Sequence, residues 1–152
     1  MLEEKGYSVG VFNFRTPSHG DGWNPLEIPY KFYINDKADR ANEFVNDIAQ
    51  NIMLTEKSER DVFWDYSASD LFVGLILYTF HLFAGKGGGR IPSIMDVLDV
   101  RSRCFGSNGA DKEFVEQIRK DRMAYHTLLG TIVAPDRTQR SILSTFFRNT
   151  HH

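Results

Sequence analysis

Apolar residues return at helical intervals over most of this chain. Within 36–53, Ala41, Phe44, Val45, Ile48 and Ile52 fall at i, i+3, i+4 and i+7 spacing over a polar back, which predicts an amphipathic helix. Residues 58–61 carry polar start signals, and 62–83 then reads as the longest helix. It is apolar on nearly every face, as expected for a helix surrounded by others. The run Gly85-Lys86-Gly87-Gly88-Gly89 ends it in a loop. Ser93 with Asp96 forms a capping box for a helix through Phe105, and Gly106 closes that helix. The stretch 110–132 predicts a single helix with Phe114, Ile118, Tyr125, Leu129 and Ile132 on one stripe. Pro135 and Asp136 suit the first turn of a last helix reaching about Phe147.

The first residues follow a different rule. Within 7–14, β-branched and aromatic side chains alternate in part with small or polar ones, which predicts one short strand. The stretch 15–29 is rich in Gly, Pro, His and Asp and reads as loop. One strand and about five main helices make an all-α bundle, with the strand as an extended segment left from a parent domain. The expected division is a linking segment over 1–35 and a helical domain over 36–150. His151 and His152 are set aside as a possible tag remnant.

Composition narrows the function classes. The 152 residues fit one domain, and twelve phenylalanines supply a thick interior. A net charge of −2 argues against a dedicated nucleic-acid binder while leaving room for local basic patches. Cys104 is the single cysteine, so no intrachain disulfide forms, which fits a reducing, cytoplasmic compartment. The opening Met1-Leu2-Glu3-Glu4-Lys5 is polar and does not resemble a signal peptide. The apolar run 71–84 has 14 residues, interrupted by Gly74, Thr79 and His81, against the roughly 20 that span a bilayer. A buried core helix is the expectation.

Candidate chemistry fails at each place it could sit. In the glycine run Lys86 lies among the glycines, no hydroxyl follows it, and a helix rather than a strand precedes it, so it is no phosphate-binding loop. His81 and His126 lie inside predicted helices without a carboxylate or second histidine in step, and His19 beside Asp21 lacks further partners. Cys104 has no neighbouring histidine, which leaves a buried structural thiol. Ser67 and Ser69 stand near Asp65 and Asp70 but have neither the glycines of a nucleophile elbow nor a base placed by spacing. No catalytic residue, cofactor or metal is therefore expected. Among the basic residues, Arg119, Lys120 and Arg122 alternate with Glu116 and Asp121 and read as a solvated face. Lys86, Arg90, Arg137 and Arg140 are the candidates for contact with a partner or with DNA.

Three ordered segments carry a family resemblance. They are Val9-Gly10-Val11-Phe12-Asn13-Phe14 followed by Trp23-Asn24-Pro25-Leu26, then Phe63-Trp64-Asp65-Tyr66-Ser67-Ala68-Ser69-Asp70-Leu71, then Thr138-Gln139-Arg140-Ser141-Ile142-Leu143-Ser144-Thr145-Phe146. In this order they resemble the TraG/TraD-type coupling proteins of conjugation and type IV secretion, the Gram-positive branch in particular. The resemblance implies the all-α domain inserted into the nucleotide-binding domain of a membrane-anchored, hexameric motor ATPase. It places the phosphate-binding loop outside this chain, so ATP hydrolysis does not carry over. It implies docking of a relaxase, another processing protein or an effector on the cytoplasmic side of the membrane, by a domain monomeric on its own. Direct contact with the transferred DNA is the alternative. Trp23, Asn24, Pro25, Phe63, Trp64, Leu71, Thr138 and Ser141 match the family segments. Trp64 and Leu71, seven apart, share a helix face and are expected to pack inward.

Overall fold

The computed structural model describes residues 24–54, 62–85, 90–106 and 109–150. Seven helices run through them: α1 (Glu27–Ile34), α2 (Ala38–Met53), α3 (Val62–Gly85), α4 (Ile94–Cys104), α5 (Lys112–Ile118), α6 (Arg122–Ile132) and α7 (Asp136–Thr150). The fold is all-α, as the periodicity predicts. Between α4 and α5, β1 (Phe105–Gly106) pairs antiparallel with β2 (Gly109–Ala110), a two-residue ribbon at positions whose local pattern predicts helix ends. Gly109 opens β2 at φ 91, in the region that favours glycine. The strand expected over 7–14, Trp23, Lys86 and Gly87-Gly88-Gly89 lie outside the described residues.

The bundle is organised around α3. Leu71 through Phe80 are all buried, and α1, α2, α4, α6 and α7 pack about this helix. By length and composition α3 could cross a membrane; here it is the core helix of the bundle. Gly74 lets α6 approach: a Cβ at this position would stand 2.3 Å from Leu128 Cγ. Aromatic edges fill the rest of the interior. Phe72 meets Phe146 of α7 at 5.2 Å between ring centroids, and Tyr30 and Tyr33 of α1 meet Phe80 at 5.2 and 5.5 Å.

Two sequence expectations need correction. The loop drawn over 15–29 ends in a helix: α1 begins at Glu27 and holds Pro29 in its first turn, where a missing N–H costs nothing. Asn24 sets this start, because its Oδ1 accepts from Leu26 N at 3.0 Å while its Nδ2 donates to Pro92 O at 2.8 Å. Leu26 and Tyr30 then enter the common core, so the described stretch 24–35 packs with the helices that follow it. The single helix over 110–132 is two helices. Asp111 accepts from Phe114 N at 3.1 Å and Asp121 from Ala124 N at 3.3 Å, so each carboxylate starts a helix by satisfying an orphan N–H. The restart at Asp121 re-phases the buried face to Ala124, Leu128 and Thr131. Tyr125, Leu129 and Ile132, drawn on the inward stripe, end up half-buried.

Candidate functional site

α7 has two unlike faces. Gln139, Ile142, Thr145, Phe146 and Asn149 are buried, recurring at three and four residues. Two of them tie the helix down: Gln139 Nε2 donates to Thr131 O of α6 at 3.0 Å, and Asn149 Nδ2 to Met53 O of α2 at 3.5 Å. Fixing both ends holds the other face still. That face carries Arg137, Arg140, Ser144 and Arg148, all exposed.

These side chains line an open groove of about 570 Å³, together with Ser141, Thr145 and Trp64. Trp64 reaches it from the first turn of α3, half-buried against the core. Phe63 stands edge-on to Trp64, with ring centroids 4.8 Å apart, and is 62% exposed. Among the described residues, Arg137, Arg140 and Arg148 have no ion-pair partner. Arg90, Arg103 and Arg119 each hold an acid. Asp136 is the only acidic residue on α7. The groove thus offers three free guanidinium forks, hydroxyls between them and an aromatic wall, a set suited to carboxylate or phosphate groups.

The sequence-selected residues separate. Arg137 and Arg140 come together here, and Arg148, a basic residue of the same helix outside the contact candidates, joins them from two turns further along α7. Trp64 and Ser141, which match the family segments, also line the groove. Leu71 is fully buried and Thr138 half-buried. Trp64 packs inward only in part. Phe63 faces solvent because the period of α3 puts 63, 66 and 70 on its open side.

Arg90 is engaged elsewhere. Its guanidinium grips Asp96 with bonds of 2.9 and 3.0 Å and lies over the Phe83 ring at 4.9 Å. It fastens the entry of α4 to the end of α3. Burial works against a charged Asp96, yet Arg90 and the Ser93 N–H and hydroxyl hold its carboxyl below the ordinary range. Lys86 lies outside the described residues.

A second polar cluster joins three elements. Asp121 Oδ2 accepts from the Tyr33 hydroxyl at 3.3 Å and lies 3.7 Å from His81 Nδ1. His81, which has no carboxylate three or four residues away on its own helix, finds one forty residues on in the chain. Burial, and then the neighbouring carboxylate, push the Tyr33 hydroxyl well above its ordinary pKa. The cluster ties α1 and α3 to the cap of α6. Among the described residues, no group of three His, Cys, Asp or Glu could hold a metal. Burial also pushes the Cys104 thiol up to about 12, far from a reactive thiolate.

Comparison with known proteins agrees with the family that the three ordered segments resemble. A family model described as "Type IV secretory system Conjugative DNA transfer" matches residues 1–149. No curated protein and no solved structure matches the chain.

Proposed function

Because this chain belongs to the type IV secretory system conjugative DNA transfer family, we propose that it is a substrate-recognition domain that docks transfer cargo in the α7 groove. The cargo would be a relaxase, another processing protein or an effector. The domain would act without catalysis of its own, as a monomer when isolated, on the cytoplasmic side of a membrane-anchored parent. One observation carries this reading: three arginines without ion-pair partners among the described residues share one groove with Trp64, on a chain whose net charge is negative. Leaving such charges unpaired on a fixed helix face makes sense where a partner supplies the anions.

Titration with the cognate relaxase and processing proteins tests the reading. Replacing Arg137, Arg140 and Arg148 together by Glu is expected to weaken cargo binding by more than about tenfold, since each 1.4 kcal/mol is a factor of ten. Binding that ignores the triple reversal would sink it.

The same arginines favour a second reading, direct contact with the transferred DNA. A salt series separates the two. Three phosphate contacts on a single strand predict a log–log slope of about −2, at roughly −0.7 per contact. A flat salt response, or no DNA binding at low salt, removes this alternative.

A further inference from the structure

We infer that the groove's partner is an acidic protein segment, laid along α7 with carboxylates on the arginines and an apolar side chain against the aromatic lip. The inference rests on the cargo-docking reading above and names the chemistry that the cargo brings. Charge is the first support. Arg137 and Arg140 stand one turn apart and Arg148 eight residues on, which at 1.5 Å per residue gives about 4.5 and then about 12 Å. Two neighbouring carboxylates and a third further along one face of a helix would meet this pattern, each able to bond a guanidinium in bidentate fashion.

The aromatic lip is the second support. Trp64 forms the wall, Phe63 extends it at 62% exposure, and Phe147 is 53% exposed beside Arg148 on α7. Arginine set among exposed aromatics is the composition of protein-interface anchors, in which an apolar side chain is buried and charged pairs set orientation. The surroundings add a third. A track for a nucleic-acid strand would carry positive charge onward, whereas Arg90 is already neutralised by Asp96 and the whole chain is net negative.

Selection from a display library of random peptides of about 16 residues, a length matching α7, on the immobilised 152-residue chain tests the inference. Enriched peptides are expected to combine Asp or Glu with an aromatic or large aliphatic residue. A synthetic copy should lose about tenfold in affinity against Arg140→Glu and Arg148→Glu, and recover when its matching acids are changed to Lys. The circular dichroism of both variants should remain that of the parent. Peptides without acidic bias, or binding indifferent to either reversal, would overturn the inference. So would a single-stranded oligonucleotide that displaces the peptide and binds more tightly. If these outcomes appear while relaxase binding still falls with the triple reversal, the docking reading stands and only the partner's chemistry is wrong. If relaxase binding is also indifferent, the docking reading falls with it.

Discussion

Gly74 lies at the contact of α3 with α6, where even one methyl group has no room. A Cβ there would come within 2.3 Å of Leu128 Cγ and 2.6 Å of Cδ2. Gly74→Ala gains helix propensity but overpacks this contact, and the second effect wins at such distances. We expect a net loss of about 1–3 kcal/mol, read by denaturant unfolding. Pairing it with Leu128→Ala should remove the clash, so the double variant should cost less than the sum of the singles. Additive losses would mean that the contact is looser than its geometry indicates. Cys104 illustrates the opposite relation between residue and surroundings. It is a reactive residue type made inert by burial, with its thiol pushed up to about 12.

At the scale of elements, short polar residues decide where helices begin. Asp121 ends the α5 segment's continuity, caps α6 and receives the Tyr33 hydroxyl. Asp121→Ala removes a cap and leaves a half-buried hydroxyl without its acceptor. A loss of about 1–3 kcal/mol is expected, together with a drop in the pKa of Tyr33 visible by ultraviolet titration. An unchanged titration would show that the Tyr33 contact is not formed in solution. Asp96 governs the start of α4 in the same manner. Its native pKa is lowered, so the stability it contributes is fully present above the unfolded value of about 4 and is lost as pH falls through the lowered native value. Asp96→Asn should therefore cost stability at pH 7 and flatten the acid side of the stability profile. An acid limb identical to the parent's would refute the role of the Arg90–Asp96 pair.

At the scale of the molecule, the stabilising contacts and the proposed docking surface lie on different faces of one helix. The inward face of α7 joins the core through Phe146 and is fastened by Gln139 and Asn149. The outward face holds arginines that make no ion pair among the described residues. Reversing Arg137, Arg140 and Arg148 should then change folding stability by no more than about 0.5 kcal/mol each, measured by thermal melting, while cargo binding collapses. A large drop in the melting temperature would mean that these side chains serve the fold after all.

Much of this arrangement was legible in the chain itself. The all-α class, the α4 capping box, the enclosure of α3 and the start of α7 follow from local pattern, because helix periodicity and caps act over only a few residues. Local pattern also named Arg137 and Arg140. It missed α1, whose start depends on Asn24 reaching Pro92, and it drew one helix across Asp121, where capping overrode an apolar stripe. Only the tertiary structure decided that Trp64 of α3 would stand beside Arg137, Arg140 and Arg148 of α7, that Arg90 would be consumed by Asp96, and that His81 would meet Asp121. The reason is physical. Which side chains can pair is written into their types, but which of them meet depends on how helices far apart in sequence pack around α3.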